Sequence, residues 1–246
     1  MRAALIETTG DVQDAQLSAR GKASVQGIGR RISRALGLIA GACLLQFAAA
    51  QDPAQAQTAK LEFASLPHDV TPLPAMGGAQ PVPAWRAFCA RHPIECSVDR
   101  REAEIIPMTP RIWELINRVN RDVNAAITPM TDMEQWGVLD SWDFPKTGYG
   151  DCEDYALAKR RELINDGWPA STLLMAVVKQ ANGEGHAVLM VRTDRGDLVL
   201  DNQIGSVDLW NATPYKFIKR QSQANAGQWV DMIDNREVVV ATAGIN

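Results

Sequence analysis

The sequence lacks a positive excess: 25 Lys and Arg against 29 Asp and Glu leave a net charge of −4. It therefore has no basic footprint for nucleic acid, and its charge does not draw it to an anionic membrane surface. It shows no internal repeat or heptad pattern. Its apolar run, Ala35 to Ala50, is rich in Ala and Gly and shorter than the ~20 residues a spanning helix needs. Histidine and cysteine are scarce, with three and four residues, so few side chains can serve as a base or a nucleophile. The composition, 46% hydrophobic and 22% charged, is that of a folded globular protein with one core or a small pair of lobes.

Arg30, Arg31 and Arg34 precede the apolar run, which ends in Ala48-Ala49-Ala50. This is the layout of a secretory signal peptide, and it predicts export with no integral span in the mature chain. Two small-x-small cleavage sites are available, and Ala54-Gln55-Ala56 is preferred because it ends the Ala/Gln-rich spacer. The expected organisation is a signal peptide with a long n-region over 1–56, a Pro/Ala-rich spacer over 57–84 and a folded domain over 85–246. Cys43 would leave with the signal. Cys89 and Cys96 then form the natural pair, since an oxidising compartment allows a small disulfide loop between them. His92 between them makes only three zinc ligands with no fourth in view. Cys152 is left as the odd thiol.

Thr109-Pro110 opens a helix whose apolar residues Ile112, Ile116, Val119, Val123 and Ile127 recur at four- and three-residue steps. Asp132 to Trp142 is too short and mixed for a helix and reads as a structured loop. A second helix opens at Cys152 and runs to about Asn165, where Gly167 and Pro169 stop it. Cys152, Tyr155, Ala156 and Leu163 share one side of it, with Lys159 intruding and its head expected to reach solvent. The period then becomes extended over Leu173 to Val178, His186 to Thr193 and Leu198 to Asn202, the last two joined by the turn Asp194-Arg195-Gly196. Val238 to Ala241 is expected as a final strand.

Gly150-Asp151-Cys152-Glu153-Asp154-Tyr155-Ala156 puts a thiol in the first turn of a helix. The positive end of the helix dipole favours a thiolate there, and three neighbouring carboxylates oppose it. A divalent cation held by some of Asp151, Glu153 and Asp154 would cancel that repulsion. Hard oxygen ligands with no nearby imidazole favour calcium over zinc, with backbone carbonyls or water completing the shell. The competing reading is that Asp151 and Asp154 cap the helix. His186 is the one histidine at the start of a core strand, after Gly183-Glu184-Gly185. A Cys/His pair needs a third group to hold the imidazole. Asp201 on the partner strand lies in neighbour range, with Asn202 a competitor and Asp197 a weaker one.

These strings, with Gly185-His186-Ala187-Val188-Leu189 and Val199-Leu200-Asp201-Asn202, resemble the bacterial transglutaminase-like cysteine proteinases of the LapG-like periplasmic type. Trp136-Gly137, Asp140-Ser141-Trp142, the Cys89/Cys96 pair and Gln221-Ser222 before Trp229 support the likeness, which covers roughly residues 84–235. The resemblance implies an α+β, papain-like fold, with a helical lobe carrying the nucleophile packed on an antiparallel β-sheet. It also implies a Cys152, His186, Asp201 triad that hydrolyses peptide bonds, with the Cys152 N–H and either Gln135 or Trp136 holding the oxyanion. Calcium dependence, a large surface adhesin as substrate in control of biofilm attachment, and an inner-membrane cyclic-dinucleotide receptor as partner follow from it too. Acyl transfer to an amine, or a non-catalytic periplasmic binding module, are the competing functions.

Overall fold

A computed structural model describes residues Thr58, Phe63, 71–98 and 104–237. The expected signal peptide and the expected strand at Val238 to Ala241 lie outside the described residues. Among the described residues no helix is long and apolar enough to cross a membrane.

The helical signals resolve into α1 (Pro83–Arg91), α2 (Pro110–Ala126), α3 (Asp132–Trp136) and α4 (Cys152–Asn165). Thr109 caps α2 by accepting the Ile112 N–H at 3.2 Å, with Pro110 in the first turn. Trp113, Ile116, Val119 and Val123 form its buried stripe. The α3 helix falls in the stretch read as loop. Five residues are too few for an apolar period to register. Its ends are marked instead by a capping box between Thr131 and Glu134 and by Gly137 in the left-handed region, at φ 70°.

The strands are β1 (Ala75–Ala79), β2 (Thr128–Pro129), β3 (Tyr149–Gly150), β4 (Leu173–Lys179), β5 (Gly185–Thr193), β6 (Gly196–Leu200), β7 (Asp208–Leu209), β8 (Lys216–Ser222) and β9 (Asn225–Met232). Seven build one antiparallel sheet in the order β1-β9-β8-β4-β5-β6-β7, while β2 and β3 pair separately and in parallel. Part of the stretch read as spacer thus joins the sheet as β1, and Leu73 before it is 2% exposed.

Both faces of the sheet are covered. Leu173, Met175, Leu189, Val191, Leu198 and Leu200 pack with the helices, while Leu174, Ala176, Val178, Val188, Met190 and Val199 pack with Tyr215 and Phe217. Burial on both faces is why β4 to β6 read as continuous apolar runs rather than alternating ones. The α4 helix lies on β5 and β4 and against α2, so its first turn comes to the start of β5. The architecture is α+β, as the resemblance implied.

Candidate active site

The turn that opens α4 is fixed from two sides. Met130 N–H donates to Gly150 O at 3.0 Å across the β2/β3 pair. A Cβ on Gly150 would lie 2.7 Å from Asp154 Oδ2, so only glycine lets the acid fold back under the turn. Cys152 follows as the free cysteine among the described residues. The expected Cys89–Cys96 disulfide is present, with Cα atoms 5.6 Å apart. Between them His92 bonds the Asp143 carboxylate at 3.1 Å rather than joining a metal centre.

His186 and Cys152 come together through the start of β5. The Ala187 N–H points at Cys152 Sγ at 3.4 Å, and His186 is the preceding residue. His186 is buried, and its Nε2 lies 2.8 Å from Asp201 Oδ1. Asp201 also accepts the Gln203 N–H at 3.1 Å, and its second oxygen accepts the Tyr215 hydroxyl. Burial would raise the Asp201 carboxyl, but the bonds from His186 and Tyr215 outweigh it and hold it below the usual carboxylate range. Burial and the Asp201 charge push the Tyr215 hydroxyl far up, keeping it a donor.

The competitors for the orienting role are placed elsewhere. Asp197 forms an ion pair with Arg192 at 2.7 Å and accepts the Leu73 N–H. Asn202 has a buried Oδ1 without a hydrogen-bond partner. Both Asp201 and Asn202 lie just past the end of β6 rather than in it. Tyr215 and Gln203 were not singled out from the sequence. Tyr215 sits in a polar stretch before β8, and Gln203 approaches His186 Nδ1 at 3.4 Å from the loop after Asp201. Of the two oxyanion candidates, Gln135 donates its amide to Thr147 Oγ1 at 2.8 Å and Trp136 is 55% exposed on α3.

The acidic cluster is larger than the three expected residues. Carboxylate oxygens of Asp132, Asp151 and Asp154 lie within 4.8 Å of one another, as do those of Asp132, Asp140 and Glu153. Asp132 and Asp140 were missed because each reads locally as ordinary helix-start or turn chemistry. Asp132 shows a second role only in three dimensions, where α3 brings it beside the start of α4. The capping alternative fits in part. Asp151 makes no side-chain cap, while Asp154 takes N–H bonds from Asp143 and Asp151.

Burial above all, with neighbouring charge, raises Asp132, Glu153 and Asp154. Glu153 is pushed up to about 9 and Asp154 to about 7, each by burial and then by Asp151, and Asp132 is raised as well. Cys152 goes well above the ordinary thiol value, through its own burial and the Glu153 carboxyl 3.1 Å from Sγ. Taken with its acids alone, the site therefore holds a thiol, and the helix dipole does not prevail. Asp151 Oδ1 is buried and has no hydrogen-bond partner. Stacked oxygens of this kind, one of them orphaned, are a donor set suited to a hard cation.

Lys159 departs from expectation. It is 0% exposed, so its head stays inside, and burial draws it down to about 7 while Asp201 opposes that shift. The helix is covered by α2 and the sheet on that side, which leaves the stem no route to solvent.

Solved structures resembling part of this chain include LapG of Legionella pneumophila in three forms. The calcium-bound form is 25% identical, covering 48% of this chain and 68% of LapG at a TM-score of 0.42. A second LapG structure is 27% identical over 50% of this chain and 70% of LapG, at 0.42, and the EGTA-treated form is 26% identical over 50% and 72%, at 0.41. A search of curated proteins finds no match. The model of the bacterial transglutaminase-like cysteine proteinases matches residues 76–237, a span well over half of the sequence that holds Cys152, His186 and Asp201. The chain belongs to the bacterial transglutaminase-like cysteine proteinase family.

Proposed function

We propose that this cysteine proteinase is an exported, calcium-dependent endopeptidase with Cys152 as nucleophile, His186 as general base and then acid, and Asp201 as the orienting carboxylate. The observation that carries this reading is the convergence on His186, with Asp201 2.8 Å from its Nε2 and the next residue's N–H directed at Cys152 Sγ. His186 takes the thiol proton as sulfur attacks the scissile carbonyl carbon. It returns that proton to the leaving amine as the C–N bond breaks, and water then hydrolyses the thioester. The Cys152 N–H at the helix start is the first oxyanion donor, with Gln135 or Trp136 the candidates for the second.

Asp132, Asp140, Asp151, Glu153 and Asp154 would hold calcium. Bound there, it would neutralise the carboxylates that otherwise keep Cys152 protonated. The substrate proposed is the N-terminal region of a large surface adhesin, whose cleavage would control biofilm attachment. An inner-membrane cyclic-dinucleotide receptor is the proposed regulatory partner and the periplasm the proposed location. The resemblance of the Cys152, His186 and Asp201 strings supports the substrate and partner, and the Cys89–Cys96 disulfide and the signal-like N-terminus support the location.

The test incubates calcium-loaded protein with a proteome-derived peptide library and a primary amine, with mass spectrometry of the products. Hydrolysed peptides that disappear with Cys152→Ala are expected. Amine adducts in their place would move the reading to acyl transfer, and cleavage that survives Cys152→Ala would remove the nucleophile.

A further inference from the structure

Gln203 stands at the working nitrogen of the base. His186 Nε2 is taken by Asp201 Oδ1 at 2.8 Å. Nδ1 is therefore the ring nitrogen left to exchange protons in the proposed reaction, and the side-chain amide of Gln203 reaches it at 3.4 Å. The imidazole is buried, whereas Gln203 is exposed. The carboxamide thus stands between Nδ1 and solvent.

This placement is anchored on several sides. Asp201 Oδ1 accepts the Gln203 N–H at 3.1 Å as well as pairing with His186, so one carboxylate oxygen fixes both the ring and the root of the glutamine. From α2, Asn124 donates to the Asp201 carbonyl at 2.8 Å and Asn120 to the Gly205 carbonyl at 3.0 Å, holding the chain on either side of Gln203. The turn itself does not require this side chain. Any residue but Pro carries the backbone N–H that bonds Asp201, and an exposed amide bonded at 3.4 Å adds little to stability.

What the amide can do follows from its two ends, since a carboxamide offers N–H donors and a carbonyl acceptor. In the free protein an N–H faces the Nδ1 lone pair, and so long a bond yields readily to a better donor. In the thioester acyl-enzyme the hydrolytic water is that donor. One of its O–H groups points at Nδ1, and the other must be held aside for an oxygen lone pair to face the carbonyl carbon. We infer that Gln203 positions this water, its Oε1 accepting the second O–H, and so commits the acyl-enzyme to hydrolysis rather than to acyl transfer. The water oxygen bonds to the carbonyl carbon as one of its protons passes to Nδ1. The C–S bond then breaks with its electron pair leaving on sulfur, and His186 returns the proton to sulfur. The second water proton stays with the product acid. An amine acceptor retraces the path of the leaving amine and is held by its own chain, so it depends less on Gln203.

The inference rests on the proposed triad, and the test separates the two. Full-length wild type and Gln203→Met, which keeps the side-chain length and removes the amide, are given calcium and a thioester of the acyl half of the peptide that wild type cleaves best. The activated acyl group makes acylation fast, so deacylation sets the turnover. Rapidly quenched samples are read by intact-protein mass and product chromatography, with and without glycinamide as acceptor, and thermal midpoints are measured alongside. Gln203→Met should acylate within about twofold of wild type and deacylate about tenfold more slowly, the worth of one hydrogen bond in the transition state. Its Cys152 adduct should accumulate, and its ratio of amide to acid product should rise by about the same factor, with the thermal midpoint unchanged. An unchanged deacylation rate, a product ratio equal to that of wild type, or acylation slowed as much as deacylation would overturn the inference and leave the triad standing. Failure of wild type to turn over the thioester, or an adduct that survives Cys152→Ala, would overturn both.

Discussion

Removing calcium should make this protein's stability depend steeply on pH, and the direction follows from the acidic cluster. Asp154 moves from 3.8 to about 7 and Glu153 from 4.5 to about 9, so the cation-free fold holds protons that the unfolded chain has already released. The folded state therefore binds more protons over that window. Stability is retained below the unfolded values and is lost as pH rises through about 7 for Asp154 and on toward 9 for Glu153. At about 1.4 kcal/mol per unit, Asp154 alone accounts for a loss of up to about 4 kcal/mol. A cation among the carboxylates keeps them ionised in the fold and cancels that slope. The calcium-induced gain should be small near pH 5 and large near pH 8. Saturation at 100 times Kd is worth about 2.7 kcal/mol, or roughly 5–10 °C for a domain of this size. Thermal unfolding in EGTA, calcium and magnesium at pH 5, 6.5 and 8 reads this directly. An unchanged midpoint with calcium at pH 8, or an increment equal at all three values, would refute the reasoning. Asp132→Asn combined with Asp154→Asn should erase the increment while preserving the fold.

The remaining outcomes concern single contacts. Cys152→Ala should abolish cleavage and move the thermal midpoint little, because the methyl retains most of the packing; a loss of several degrees would mean that the thiol is structural. Asp201→Ala should lower kcat by orders of magnitude through loss of the His186 bond, whereas Asn202→Ala, which removes no contact to His186, should stay within a few-fold of wild type; the reverse order in steady-state kinetics would transfer the orienting role. Reduction of Cys89–Cys96, whose partners are separated by 7 in sequence, should cost no more than about 2–3 kcal/mol, and denaturant midpoints with and without reductant that coincide would show that the loop is held by other contacts.

What could be read from the sequence was what depends on local order. The apolar steps of α2 and the runs of β4 to β6 are set by burial along one element, and they fall where the periodicity places them. The tight turn at Gly150 and the free cysteine at the start of α4 were legible for the same reason: both are written in consecutive residues. The α3 helix escaped because its five residues carry cap chemistry without a period, and Asp132 was hidden with it. Strand β1 escaped because Ala75-Met76-Gly77-Gly78-Ala79 has neither branched residues nor alternation and is held by its pairing with β9.

Tyr215 and Lys159 show a different limit. Tyr215 is a second-line partner whose hydroxyl matters only because β8 lies two strands from β5, with β4 between them, and its ring packs 5.3 Å from His186. Lys159 stood in plain view on the apolar stripe of α4, and the ordinary rule that a long cationic side chain reaches water was applied to it. That rule fails where a helix is covered by both a second helix and a sheet, as α4 is by α2 and by β4 and β5. An intruding lysine on a stripe that also carries the nucleophile is therefore ambiguous in sequence. It is either a solvated end or a buried amine, and only the packing of the helix in three dimensions decides which.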